Sequence, residues 1–167
     1  QDIEYRFVFS KYPGQMTDIM KRHTVSDDPK HIFVLGGDGS FNEIVNGLYN
    51  PDIHKLTFLP AGSGNDLSRG LGLPKDPIEL FKQVIEKDEE KSTHIDLGCV
   101  TYTSKEKKAT SRLFAVSSGF GFDAAITKQV NKSTLKKVLN KFGLGKLSYV
   151  ISGVIQLFTW KPQDALL

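Results

Sequence analysis

Two glycine-rich stretches contain the residues of this chain that could do chemistry. They read GGDGS at residues 36–40 and GSGND at residues 62–66. Glycine lets a backbone turn sharply and approach another molecule without a Cβ in the way. When such a turn leads into a helix, the free N–H groups and the positive end of the helix dipole favour an anionic phosphate. Both stretches are therefore predicted to bind phosphate.

Asp38 stands out within the first stretch, because a carboxylate repels a phosphate unless a cation lies between them. A nucleotide that carries Mg²⁺ would resolve this conflict. The alternative is an Asx-turn, in which the Asp38 side chain bonds its own backbone and needs no metal. Nearby polar residues have similar alternatives: Asn42, Asn46, Asn65 and Asp66 could hold a phosphate or each other, and Asn65 or Asp66 could cap the helix that follows.

Each glycine stretch follows a segment that predicts a short strand. The first predicted strand, residues 31–35, contains the apolar run Ile32–Leu35, and the second, residues 55–60, is a short, mostly apolar segment. Ser40 and Glu43 have the spacing of a capping box, so a helix is expected to begin at Ser40 and to end near Tyr49. A hairpin turn at GGDG is the alternative, which the capping box disfavours. The loop lacks the Gly-Lys-Ser/Thr of a Walker loop, and Asn42 replaces the third glycine of the dinucleotide fingerprint.

The first half of the chain alternates between predicted strands and helices. Residues 4–9 predict a strand, residues 15–23 a helix, and Asp76 with Pro77 the start of a further helix. The buried face of the helix that begins at Asp76 is expected to consist of Ile78, Phe81, Val84 and Ile85. This alternation predicts a layered α/β fold with a parallel sheet, and both glycine stretches should lie at the carboxyl edge of that sheet.

The pattern changes after the charged run at residues 86–91. Extended segments are predicted over residues 93–103 and 112–118, and a helical region over residues 122–160, with breaks near Ser133 and Gly143. We place a domain boundary near residue 91. The first domain is then residues 1–91 and the second begins within residues 92–167.

Composition limits the classes of protein that fit. The chain has 167 residues, 39% of them hydrophobic and 25% charged, which is ordinary for a globular domain. Cys99 is the single cysteine, which excludes an internal disulfide and fits a cytoplasmic compartment. Gln1–Phe9 lacks the pattern of a signal peptide, and no stretch has the length and apolar character of a membrane span.

Lysines are concentrated in the last third of the chain. Seven fall between Asp123 and Asp164, and no acidic residue lies among them. This block could rest on an anionic membrane, together with the apolar stretch Leu147–Trp160, or it could be a solvated helix face. Nucleic acid is not expected, because no zinc-finger, helix-turn-helix or aromatic stacking motif accompanies the lysines.

The two glycine stretches resemble the two signature motifs of the diacylglycerol kinase catalytic domain, a family that includes bacterial lipid kinases and the sphingosine kinases. The matching segments are LGGDGSFNEIVNGL at residues 35–48 and LPAGSGNDLSRGLGLP at residues 59–74. Looser resemblance continues through residues 94–98, 114–123 and 145–158. The resemblance implies an ATP-binding α/β domain, followed by the start of a lipid-binding, β-rich sandwich domain with a helical insert.

The resemblance also implies which residues contact ATP. Ser10, Ser40 and Ser63 stand where the family usually has threonine, and each keeps the hydroxyl. The full set of candidate nucleotide-binding residues is Ser10, Gly36, Gly37, Asp38, Gly39, Ser40, Phe41, Asn42, Ser63, Gly64, Asn65 and Asp66. Asp38 is also the only candidate catalytic residue. The metal ligands are left unassigned.

The implied reaction is transfer of the γ-phosphoryl group of ATP, with Mg²⁺, to the hydroxyl of a lipid such as diacylglycerol. The family's first strand and its general base are expected outside these residues, so this chain alone is expected to be inactive. The alternatives are a nicotinamide dinucleotide kinase, which shares the GGDG loop, and a non-catalytic regulatory domain that binds nucleotide or lipid. We expect a cytoplasmic protein at the membrane periphery, and leave homodimerisation open.

Overall fold

The computed structural model describes residues 4–86, 92–103, 108–132 and 145–161. The chain divides into two compact units, Gln1–Val116 and Ser117–Leu167. The predicted run at residues 86–91 and the predicted helix breaks lie largely or wholly outside the described residues. The domain boundary predicted near residue 91 stays a prediction.

The first unit alternates helices and strands as the sequence predicts. Its elements are α1 (Gln15–His23), β1 (His31–Gly36), α2 (Asp38–Val45), a 3₁₀ turn (Pro51–Ile53), β2 (Lys55–Pro60), α3 (Asp66–Gly70), α4 (Pro77–Glu86), β3 (Gly98–Thr103) and β4 (Ala109–Phe114). Helix α1 and strand β2 have the predicted bounds. Strand β1 extends one residue further, to Gly36.

Strands β1 and β2 pair in parallel, with Val34 opposite Phe58 and Gly36 opposite Pro60. One face of this sheet packs against α1 and α2, where Val34 and Phe58 are each 3% exposed. The rings of Phe41 and Phe58 meet edge to face, with centroids 5.3 Å apart. The mixed α/β class with a parallel sheet is confirmed.

Helix α4 packs on the opposite face of the sheet, where its Phe81 ring lies 5.3 Å from that of Phe33. Asp76 caps the helix as predicted, because its Oδ1 accepts from the Ile78 N–H at 2.8 Å. The predicted buried face is wrong in part, since only Leu80 is buried and Ile78 is 63% exposed. The sheet has two described strands and is too narrow to cover the helix.

Strands β3 and β4 form an antiparallel hairpin, with Gly98 opposite Phe114. Asn42 of α2 and Asn46, the residue just after α2, bind the hairpin. The Nδ2 atoms of Asn42 and Asn46 donate to the Leu113 carbonyl oxygen at 3.0 and 2.9 Å. The Leu113 N–H donates to Asn46 Oδ1 at 2.9 Å. The hairpin therefore belongs to the first unit. The β-rich second domain stays a prediction.

The strand predicted over residues 4–9 is wrong for this structure, which gives that segment neither helix nor strand. Tyr5, Phe7 and Phe9 are 75–80% exposed and contact one another along the chain. A strand requires a hydrogen-bonded neighbour, and none of the described strands pairs with this segment. The alternation of the sequence is strand-like, but it lacks a partner.

The predicted capping box is also wrong. Helix α2 begins at Asp38 after Gly37, without a side-chain cap. Glu43 instead reaches α1, where its carboxylate accepts from the Gly14 N–H at 2.8 Å and the Met16 N–H at 3.2 Å. The carboxylate can accept these hydrogen bonds because the first amides of α1 have no partner within their own helix.

The second unit contains α5 (Phe122–Lys132) and a helix that we call α6 (Gly145–Thr159). The rings of Phe122 and Trp160 meet edge to face with centroids 5.6 Å apart. Val130 of α5 and Ser152 of α6 are buried. Among the described helices, none combines the length and apolar character needed to cross a membrane.

Candidate functional site: two glycine loops at one sheet edge

The two glycine stretches lie side by side at the carboxyl edge of the parallel sheet, as predicted. The Ala61 N–H donates to the Gly36 carbonyl oxygen at 2.8 Å and extends the pairing of β1 and β2 into the loops. A Cβ on Gly62 would lie 2.6 Å from the Cα of Gly37. Glycine is therefore required at residue 62 because the two loop backbones touch there.

Gly39 is a glycine without such a packing reason. A Cβ at this position would meet nothing within 4 Å, and its φ is not left-handed. Asp38 and Gly39 are the first residues of α2, so their N–H groups lack acceptors within the helix. No described residue accepts from either amide. The space beside Gly39 is thus open, and the amides of Asp38 and Gly39 are unpaired, as a phosphate cradle requires.

Asp38 connects the two loops through its carboxylate. Its Oδ2 accepts from the Asp66 N–H at 3.0 Å, and its Oδ1 accepts from the Leu67 N–H at 3.1 Å. The side chain therefore caps helix α3 from 28 residues away. This contact differs from the Asx-turn considered from the sequence, since the accepting oxygens serve another segment. A carboxylate has about four lone-pair positions, so two remain for a cation.

A second carboxylate lies near that of Asp38. A Cβ built on Gly64 would be 3.1 Å from Asp38 Oδ2 and 3.5 Å from Asp66 Oδ2. Asp66 also pairs with Arg69, one turn along α3. No group of three or more potential metal ligands occurs among the described residues. Two carboxylates nevertheless fit a Mg²⁺ that arrives with a nucleotide, because such an ion keeps phosphate and water ligands.

The second glycine loop is held in shape by Asn65. Its backbone is left-handed, with φ 54° and ψ 45°, a conformation that asparagine tolerates better than most residues. Its side chain accepts from the Gly62 N–H and donates to the Gly62 carbonyl oxygen, both at 2.9 Å. Asn65 precedes α3 without capping it through its side chain. Ser63 is exposed at the tip of this loop.

Other predicted site residues have structural roles. The Phe41 side chain is 4% exposed in the core, so only its backbone could face a ligand. Asn42 binds the β-hairpin through Leu113. Ser40 packs over Gly36, where an added Cβ would lie 2.7 Å from its Oγ. Ser10 is exposed, and no hydrogen bond among the described residues connects it to either loop. Nucleotide contacts by these residues stay predictions.

Beside α3 lies an open hollow of about 290 Å³. Its lining is mostly apolar and comprises Asp66, Leu67, Gly70, Leu71, Ile95, Ala115 and Val116. Sequence reasoning did not predict this hollow. Its residues come from three separate segments, so no local pattern in the sequence indicates it.

The sequence profile of the family described as "Diacylglycerol kinase catalytic domain" matches residues 1–100. The chain belongs to this family. The resemblance inferred from the two glycine motifs is confirmed, and both glycine loops fall within the matched residues. No solved structure matches the chain.

Curated proteins of the same kind are similar over most of the chain. The chain is 30% identical over 162 residues to a "Putative lipid kinase YtlR" of Bacillus subtilis. The aligned region covers 96% of this chain and 51% of that protein. The chain is 31% identical over 140 residues to a "Diacylglycerol kinase" of Staphylococcus carnosus, with 83% and 40% covered. "Lipid kinase YegS" of Escherichia coli K12 is 30% identical over 130 residues, with 76% and 38% covered. The chain thus spans about half or less of the length of these relatives.

Proposed function

We propose that this chain forms the nucleotide-binding part of an ATP-dependent lipid kinase. Membership of the lipid kinase family supports this function in general terms. The observation that carries the proposal is the pair of glycine loops at one sheet edge, with open space at Gly39 and unpaired amides at Asp38 and Gly39.

In the proposed complex, the phosphates of ATP lie against the start of α2. The amides of Asp38 and Gly39 donate to phosphate oxygens, and the partial positive charge of the helix end favours the anion. Mg²⁺, held by Asp38 and Asp66, would neutralise charge on the phosphates. Ser63 is exposed on the facing loop and is the hydroxyl best placed to add a contact.

We propose diacylglycerol as the acceptor, because one similar protein carries the name "Diacylglycerol kinase". The hydroxyl oxygen of the lipid would attack the γ-phosphorus while the bond to the β–γ bridging oxygen breaks and ADP leaves. The hollow beside α3 supports this arrangement, since its lining is mostly apolar and includes Asp66. We assign no residue of this chain as the base that receives the hydroxyl proton.

The test is phosphate transfer from radiolabelled ATP by the complete protein. Diacylglycerol in mixed micelles and NAD are offered in parallel. Labelled phosphatidic acid is expected, with no label on the dinucleotide. Labelled dinucleotide would favour the nicotinamide dinucleotide kinase alternative. Magnesium-ATP binding without transfer to any acceptor would favour the regulatory alternative.

A further inference from the structure

Helix α2 carries three polar side chains on one face. Asp38, Asn42 and Asn46 follow one another at intervals of four residues, and side chains at this spacing lie above one another on a helix. Asn46 is the residue just after α2, and it keeps helical backbone angles, with φ -77° and ψ -7°. We call these three residues the polar row. The row extends about 12 Å along the helix from the phosphate cradle at its start.

The first residue of the polar row holds one wall of the hollow beside α3. The Asp38 carboxylate accepts from the Asp66 N–H at 3.0 Å and from the Leu67 N–H at 3.1 Å. Asp66 and Leu67 belong to the lining of the hollow. The start of α3, and with it this wall, is therefore attached directly to the residue that begins α2.

The other two residues of the polar row hold a second wall through Leu113. Asn46 Nδ2 donates to the Leu113 carbonyl oxygen, and the Leu113 N–H donates to Asn46 Oδ1, both at 2.9 Å. Asn42 Nδ2 donates to the same carbonyl oxygen at 3.0 Å. Ala115 and Val116, which follow Leu113 closely in the chain, line the hollow. The polar row therefore also fixes the end of β4 that leads into this wall.

Asn46 makes the more restrictive of the two attachments to Leu113. Its amide both donates to and accepts from that residue, and two hydrogen bonds side by side resist sliding and rotation of the strand. The Asn46 amide is itself held, because Nδ2 also donates to the Asn42 carbonyl oxygen at 2.7 Å. Both asparagines are half-buried, where hydrogen bonds are stronger than they are in water. Asn46 therefore locates β4 relative to α2.

Given the lipid kinase function proposed above, on which this step rests, we propose that Asn46 is a positioning residue for phosphoryl transfer. Through Leu113 it keeps the hollow that receives the lipid at a fixed distance from the phosphates at the start of α2. One helix then carries the cradle and both walls, so the lipid hydroxyl and the γ-phosphorus share one frame. Phosphoryl transfer depends on such alignment, because its catalysis is almost entirely positioning and charge stabilisation. Because its amide is occupied by Leu113 and Asn42, Asn46 acts through the strand and not by contact with either substrate.

The experiment compares Asn46→Ala with the unmodified complete protein. Titration calorimetry with magnesium-ATP gives the affinity and the number of binding sites. Transfer of label from saturating radiolabelled ATP to diacylglycerol in mixed micelles is then expressed per site, so that a loss of folded protein lowers the number of sites and not the rate per site. The rate per site is expected to fall about 10- to 100-fold, because the wall that follows Leu113 is no longer fixed. Magnesium-ATP affinity should stay within about twofold, since Asn46 lies about 12 Å along the helix from Asp38.

Thr101→Val is the matched control, because the hydroxyl groups of Thr101 and Ser111 form a hydrogen bond of 2.8 Å within the same hairpin. The variant removes a hairpin hydrogen bond that does not involve α2, and its rate per site should be unchanged. If circular dichroism shows that Asn46→Ala is misfolded, Asn46→Asp replaces it. Asn46→Asp keeps an oxygen that accepts from the Leu113 N–H and loses the donor, so a smaller fall in the rate per site is expected.

Three results would overturn the positioning role of Asn46. They are an unchanged rate per site in the Asn46 variant, an equal fall in Thr101→Val, and a loss of magnesium-ATP affinity as large as the loss of rate. In each of these cases the unmodified protein still phosphorylates the lipid, so the proposed function survives. If the unmodified protein transfers no phosphate to the lipid, both the function and the positioning role are rejected.

Discussion

Replacing Gly39 with alanine is expected to stabilise the fold and to weaken nucleotide binding. The added methyl group meets no atom within 4 Å, and the backbone needs no left-handed φ at this position. An alanine also reduces the freedom of the unfolded chain. The free energy of unfolding is expected to rise by about 0.4–1 kcal/mol, which raises the melting temperature by about 1–4 °C.

The same methyl group occupies the open space where the phosphate is proposed to lie. Loss of one hydrogen bond between an amide and a charged phosphate costs about 1.5–3 kcal/mol. Magnesium-ATP affinity should therefore fall by about 10- to 150-fold. Titration calorimetry with magnesium-ATP measures the affinity, and scanning calorimetry of the free protein measures the stability.

Gly70→Ala is the control, because Gly70 also has nothing within 4 Å of an added Cβ. It should leave ATP affinity unchanged, since it lies at the far end of α3. Unchanged affinity in Gly39→Ala would refute the cradle at the start of α2. A lowered melting temperature in Gly39→Ala would refute the view that residue 39 is glycine for a ligand and not for packing.

Three further changes test other parts of the structure. Asp38→Ala removes the acceptor at the start of α3 and should lower the free energy of unfolding, measured by calorimetry, by about 1–2 kcal/mol. Asp38→Asn keeps one acceptor oxygen and should lower it by less. Equal losses in the two variants would contradict the capping role. Gly47→Ala places a Cβ 2.4 Å from the Thr17 carbonyl oxygen. It should lower the free energy of unfolding, measured by denaturant titration, by about 1–3 kcal/mol. An unchanged free energy would contradict this close approach. Burial first, and the charge of Lys30 second, lower the pKa of His54. The unfolded chain then takes up a proton before the folded one, so stability should fall as pH drops below about 6.5, and His54→Gln should flatten that slope in melts over the pH range.

The sequence correctly predicts the strands and helices whose bounds depend on neighbouring residues alone. Strand β2 and helix α1 have their predicted bounds, and Asp76 caps α4 as expected from a residue beside Pro77. The parallel pairing of the strands before the two glycine loops also followed from their order along the chain. Each of these inferences needed only nearby residues or the rules of α/β connection.

Contacts between distant residues could not be predicted in this way. Glu43 has the spacing of a capping box, but its carboxylate binds the amides at the start of α1. The sequence indicates that Asp38 is a phosphate or metal residue, whereas its hydrogen bonds to the start of α3 depend on how the two loops meet. Tyr5, Phe7 and Phe9 alternate like a strand, yet pairing is a property of the neighbour as well as of the segment.

The contact of Glu43 with α1 has a consequence for the order in which the chain can fold. Helix α1 has nine residues, fewer than the roughly 12–15 that an isolated helix needs to persist in water. Its starting amides are satisfied by a side chain that follows 27 and 29 residues later. During synthesis, residues 15–23 emerge well before Glu43 does. Helix α1 is therefore expected to reach its full stability only once α2 is present.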